Sequence, residues 1–369
     1  MLANKQYPLA VVVAHWTSLC VGRYIGVRGP AKFQHFLPVL SESTLSDINN
    51  NVCAATRADY MSAYNDPAVD PDRLCLAQQD CILVNMSESE KSYMSSSSLV
   101  LGLSPILLSS IGPTISEIGL LSLRRPILSL LLTFGTVGVY PSRILSYVDD
   151  SALDIIGEPT TLAVFLNETR VHDTVRKRAA AISVAQYVVV ALAVFNVFYT
   201  SWQLGVATVL NFVCQSSFMP LVWTTLPAFI HLPAALALRA NKKKPATVST
   251  SESTRAMNCS KSLIRPSLTS EVTLHAMREE PIDLAALRPT PMLIFWRWVA
   301  TVLSFVHVLV GIVIFSSLLF TMTTDAAIIL LRYAASALAC RLIIIFELGG
   351  IRWSRAQAQK NERMNATAR

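Results

Sequence analysis

The 369-residue chain is short of charge. Asp, Glu, Lys and Arg make up 15% of it, where an ordinary soluble domain carries about 25%. Acidic residues are the scarcer sign, 24 against 31 basic. Also missing are the signatures of common catalytic sites: no P-loop, no G-x-S-x-G, no H-R-D and no Rossmann glycine pattern occurs. The six histidines are scattered, with no H-E-x-x-H and no i, i+4 pair, and no C-x-x-C or zinc-like Cys/His spacing is present. Asp66, Asp70 and Asp72 lack the glycine and the spacing of a calcium loop. These absences leave no catalytic residue, no cofactor and no metal site to nominate, and they lean away from an enzyme. No basic face interleaved with aromatics occurs, so nucleic acid is not an expected partner. No internal repeat is visible.

What is present is apolar. Hydrophobic residues account for 52% of the chain, and the mean hydropathy is +0.45. A soluble fold cannot hide that much apolar surface, so the lipid bilayer is the expected surrounding. The fold class that follows is an all-α membrane protein. It is a bundle of about five to six transmembrane helices, with short broken or re-entrant helices and a small polar N-terminal region.

The organisation reads from the N-terminus. Residues 1–27 hold the apolar run "PLAVVVAHWTSLCVG" behind Lys5, with the proportions of a signal peptide and equally of a signal anchor. Residues 28–98 are polar, with nine acids against Arg28, Lys32, Arg57, Arg73 and Lys91. Cys53, Cys75 and Cys81 fall within that stretch and suit one disulfide in an oxidising lumen. Asn85 opens the glycosylation acceptor "NMS". Next come two short runs, Leu99–Gly112 and Pro126–Tyr140, which as helices are about 21 and 22 Å long, each short of the ~30 Å hydrocarbon core. Between them, "TISE" at 114–117 forms a capping box that predicts a fresh helix, which Pro126 stops. Residues 141–178 form a loop. Residues 179–238 hold two spans, Ala179–Trp202 and a run over 204–238 interrupted by Pro220, Pro227 and Pro233. A basic Ser/Thr-rich loop covers 239–294, a hairpin of two spans covers 295–348, and a basic tail covers 349–369.

Lys and Arg collect beside spans on the cytoplasmic side. Arg176, Lys177 and Arg178, then Lys242, Lys243 and Lys244, and the tail all carry that mark. An even number of spans separates each from the next, so one orientation satisfies all three. The acidic region 28–98 then faces the lumen or the exterior, provided that 99–140 crosses once. In that arrangement 99–123 is one broken crossing, Arg124 and Arg125 mark its cytoplasmic end, and 126–140 dips in at that face. Two short crossings are the alternative, and they put an Arg-Arg pair outside. The expected location is the plasma membrane or a secretory-pathway membrane. Lys242–Lys244 are placed to touch anionic lipid headgroups.

Arg332 and Arg341 lie inside the last span, and Glu347 lies near its end. Charges there are costly and mark either a substrate path or a structural ion pair. Nine positions apart, the two arginines point to opposite sides of a helix. Glu347, His307, Asn196 and Glu117 are the available partners. Two functions follow: a non-catalytic membrane sensor or scaffold, or a transporter or channel for a small solute or ion.

Residues 81–135, "CILVNMSESEKSYMSSSSLVLGLSPILLSSIGPTISEIGLLSLRRPILSLLLTFG", resemble a group of uncharacterised multi-pass membrane proteins of filamentous fungi, and "CQSSFMPLVWTTLPAFIHL" at 214–232 is similar to a second region of that group. The resemblance implies a membrane location and no chemistry.

Overall fold

The computed structural model describes residues 30–37, 42–66, 68–69, 71–140, 179–241 and 291–367. Its framework is helical. Three short helices, α1 (Glu42–Asp47, continued by a π turn over Ile48–Val52), α2 (Ala54–Asn65) and α3 (Asp72–Asn85), form a cap. Below it stand α4 (Glu88–Ile111), α5 (Ile115–Ser122), α6 (Pro126–Thr136), α7 (Ala179–Ala207), α8 (Met219–Asn241), α9 (Pro291–Ser316) and α10 (Thr323–Thr367). Four of these, α4, α7, α9 and the first part of α10 (Thr323–Gly349), are long and apolar enough to cross a membrane. α8 has similar length and packs between them; Pro227 and Pro233 lie inside it without ending it. The apolar run over 204–238 is instead divided at 208–218, ahead of α8, where a two-residue strand β1 (Val209–Leu210) leaves the helix.

The first span begins earlier than hydropathy suggests. α4 starts at Glu88, eleven residues before the apolar run, behind the N-cap Ser87. Ser87 Oγ accepts from the Glu90 amide at 3.3 Å, and Glu90 Oε2 accepts from the Ser87 amide at 2.9 Å. This reciprocal capping satisfies two amides that the helix start would otherwise orphan. The serine-rich turn that reads as polar is helical because its hydroxyls return to the helix backbone: Ser96 donates to the Ser92 carbonyl and Ser98 to that of Ser95. Ser97 is buried and bonds Thr321 at 2.7 Å. With 24 residues, α4 is about 36 Å long, enough for a full crossing.

α4 ends at Gly112 and Pro113. α5 restarts behind Thr114, whose hydroxyl accepts from the Glu117 amide while Glu117 Oε2 accepts from the Thr114 amide at 2.8 Å, the capping box expected from "TISE". After Arg125 the chain turns back as α6, with Pro126 in its first turn. Ser129 on α6 donates to the Ile118 carbonyl on α5, so the two run antiparallel as a short hairpin. The hairpin returns to the break: the Tyr140 amide donates to the Pro113 carbonyl at 3.2 Å. A Cβ on Gly138 would stand 2.5 Å from the Leu108 carbonyl oxygen, and one on Gly112 at 2.5 Å from the Gly138 oxygen. Only glycine lets these backbones touch.

One end of the bundle is closed by the cap. The α7–α8 and α9–α10 connections meet there as a two-stranded ladder, β1 with β2 (Leu318–Leu319). Phe33, Phe36, Leu45, Tyr60, Ile82 and Met94 form one apolar cluster with Val209, Cys214 and Phe320 from these connections. The main core lies beneath, around Leu101, Trp223, Phe315 and Tyr333.

Candidate functional site

Among the described residues, three buried polar places tie elements together. The first lies at the end away from the cap, where α7 begins and the apolar part of α10 ends. Arg125 sits at the elbow of the hairpin and is fully buried. Its Nη1 donates to Glu347 Oε1 at 2.7 Å and to Gln186 Oε1 at 2.7 Å, and its Nη2 donates to Ser183 at 2.9 Å. Gln186 Nε2 donates to the same Glu347 oxygen at 2.7 Å, and the Tyr187 ring lies 5.4 Å from the guanidinium carbon. The elbow, α7 and α10 thus share one charge-neutral network. Of the pair expected to mark the cytoplasmic end of the crossing, Arg125 is thus a buried tie between elements and Arg124 is half-buried.

The second place is the helix break. Arg341 on α10 donates to Glu117 Oε2 at 2.5 Å. Glu117 therefore serves twice, capping α5 and pairing with Arg341. Arg332, on another side of α10, donates to Gln203 Oε1 at 3.1 Å, while Asn196 Nδ2 donates to the Arg332 carbonyl and to Ser336. Of the four partners available in the sequence, Glu117 takes Arg341, Glu347 takes Arg125, and Asn196 takes the Arg332 backbone. His307 takes none: its ring stacks on Trp223 at 4.8 Å, and the Trp223 indole donates to the His307 carbonyl at 3.0 Å. Gly311, one turn on, leaves room for that indole, since a Cβ would lie 2.5 Å from Trp223 Nε1. His231 on α8 is buried. The small residues Ser336 and Cys340 face α7 and the hairpin; a Cβ on Gly135 would lie 2.6 Å from the free Cys340 thiol.

The third place is the joint between cap and bundle. Cys53 pairs with Cys81 within the cap, and Cys75 pairs with Cys214 across 139 residues. One expected disulfide becomes two because Cys214, which lies in an apolar run of the sequence, falls on the α7–α8 connection under α3. Lys32 is buried beside it. Its amine donates to the Gly205 carbonyl at 2.5 Å and to the Thr208 carbonyl at 2.9 Å. These are groups that the end of α7 leaves without helical partners. Burial pulls the Lys32 amine down to about 7 and pushes the Tyr60 phenol up to about 12. Tyr60 accepts from the Lys32 amide at 2.9 Å and donates to Gln215 at 2.8 Å.

Asn85 is exposed at the end of α3, its amide donating to the Cys81 carbonyl. Arg176, Lys177, Arg178 and Lys242, Lys243, Lys244 lie outside the described residues, as do residues 1–29. Arg125, Gln186, Ser183 and Lys32 carried no pairing signal in the sequence beyond one: Ser183 and Gln186 are three apart on an otherwise apolar helix and so share a face. Among the described residues no group of three or more His, Cys, Asp or Glu could hold a metal ion. Comparison with protein-family models, with curated proteins and with solved structures finds no match.

Proposed function

We propose that the chain is a multi-pass integral membrane protein with a non-catalytic role, a sensor or scaffold. Its cap faces the lumen or the exterior, and its basic loop 239–294 and tail 349–369 face the cytoplasm. The observation that carries this reading is the Cys75–Cys214 bridge with Lys32 beside it. Disulfides persist in oxidising compartments, and this one fixes the cap to the start of α8 and the end of α7. Both helices run to the opposite end of the bundle, so a partner that shifts the cap acts on them directly. The pairing of Arg125 and Arg341 with carboxylates, and of Arg332 with Gln203, supports a structural role for these charges. The fungal membrane proteins that residues 81–135 and 214–232 resemble are in keeping with that location. Lys242–Lys244 would then meet anionic headgroups of the inner leaflet, and replacing all three is expected to weaken binding of the isolated loop to phosphatidylserine vesicles.

The test is coupling between faces. In permeabilised membranes, Cys75→Ser with Cys214→Ser is expected to change the rate at which protease cleaves the tail. A loosened cap with unchanged tail cleavage would leave a scaffold and remove the sensor.

A second reading, a transporter or channel, is favoured by one feature. The start of α5 and the end of α6 meet inside the bundle, as half-helices do at transport sites. Arg332→Leu and Arg341→Leu separate the two. Loss of solute flux in proteoliposomes with intact folding supports transport, whereas unchanged flux with unchanged or higher stability supports the sensor or scaffold.

A further inference from the structure

Residues 30–37, "PAKFQHFL", cross the mouth of the bundle without regular structure, yet Ala31, Lys32, Phe33, Phe36 and Leu37 are buried. The segment's contacts reach the cap, the bundle core and the end of α7. Phe33 meets the edges of Tyr60 and Phe320 at centroid distances of 5.6 and 6.1 Å, and Phe36 meets Phe320 at 6.1 Å. Leu37 enters the main core with Leu101 and Val197. Asn49 donates to the Phe33 carbonyl at 3.0 Å. The Lys32 amine meets two main-chain carbonyls at the end of α7. The Lys32 amide donates in turn to the Tyr60 phenol, which donates to Gln215.

Two features set this segment apart from ordinary packing. Phe33 has φ 62°, a left-handed conformation that a bulky aromatic residue rarely adopts. The buried amine is matched to two carbonyl oxygens at the end of α7, acceptors that favour an N–H donor. The segment is thus a strained chain seated in a formed site. We propose that the mouth of the bundle is a binding site for a primary amine carried next to an aromatic ring, filled in this state by the chain's own Lys32 and Phe33, and that a ligand of that chemistry displaces the strap. This goes beyond the sensor reading, for the site stands whether or not the cap communicates with the tail.

The experiment uses the full-length protein in detergent at pH 6. Amine-reactive labelling followed by mass spectrometry compares Lys32 with the part-exposed Lys91. Lys32 is expected to label at least tenfold more slowly, and a synthetic peptide of residues 30–37, in excess, is expected to raise Lys32 labelling severalfold by displacement. The same peptide with alanine in place of its lysine is expected to leave it unchanged. In a second arm, Lys32→Ala lowers the melting temperature, and n-butylamine but not n-butanol restores part of it; Lys32→Met serves if the alanine variant does not accumulate. Labelling of Lys32 as fast as Lys91 overturns the proposal. So does a strap that stays protected at every peptide concentration, and so does equal recovery by amine and alcohol.

Discussion

Arg125 and Glu347 show how single residues hold this chain together. Both are fully buried and share one neutral hydrogen-bonded group with Gln186 and Ser183. Removing one partner strands a buried charge, which costs about 3–5 kcal/mol. Arg125→Leu is therefore expected to destabilise the protein by that amount in denaturant unfolding in micelles. Arg125→Leu combined with Glu347→Leu should recover most of it, because the stranded charge is gone; a double variant as unstable as the sum of its parts would refute the pairing. Lys32 makes a separate expectation about pH. Its folded-state amine titrates near 7 and its unfolded one at 10.5. Between those values the unfolded chain binds the extra proton, so stability contributed by this group rises with pH across about pH 7–10.5 and is flat below 7. Lys32→Met should flatten that rise, read as melting temperature against pH. Neither residue's partners were legible in advance. Arg125 pairs across 222 positions and Lys32 across 173, and no local spacing encodes such distances.

At the scale of elements, local signals were legible wherever the cause was local. The capping box at Thr114 and the stop at Pro126 appear in the sequence and in the structure alike, because both depend on a few neighbouring residues. The start of α4 was legible in principle, since Ser87 and Glu90 have the same box spacing. Hydropathy drew the boundary at Leu99 because serine counts as polar even when its hydroxyl returns to the helix backbone. The prolines of α8 misled in the opposite direction: Pro227 and Pro233 stay within a helix that neighbouring helices support. Two element-level outcomes follow. Gly138→Ala places a methyl 2.5 Å from the Leu108 carbonyl oxygen, within the backbone of α4, so the hairpin must separate from the break. A fall in melting temperature larger than for Gly349→Ala, where nothing lies within 4 Å, is the expected result. Cys214→Ser opens a bridge between segments 139 residues apart, and loss of a native disulfide typically costs 2–5 kcal/mol where the entropy of the open chain is large. Limited proteolysis should then cut α2 and α3 while the spans remain protected; an unchanged cap would mean that apolar packing alone holds it.

At the scale of the whole molecule, composition gave the class, an apolar helical bundle. The long apolar helix here is α4, Glu88–Ile111, rather than a broken segment over 99–123. α4 starts at the cap, α5 carries on to Arg125 beside the start of α7, and α6 returns only as far as the break. The cap and the start of α7 thus stand at opposite ends of the bundle. What composition could not give is the joint between cap and bundle, because it rests on Lys32, Cys75 and Cys214, residues with no common pattern. The central claim is that the cap and the tail lie on opposite sides of the membrane, with the cap outside. It is tested most directly with single cysteines, Val69→Cys in the cap and Met364→Cys in α10, in a background where Cys20, Cys259 and Cys340 are serine. A membrane-impermeant maleimide added to intact cells should label the Val69→Cys protein at once and the Met364→Cys protein only after permeabilisation. Labelling of both from outside, or of Met364→Cys alone, would contradict the account.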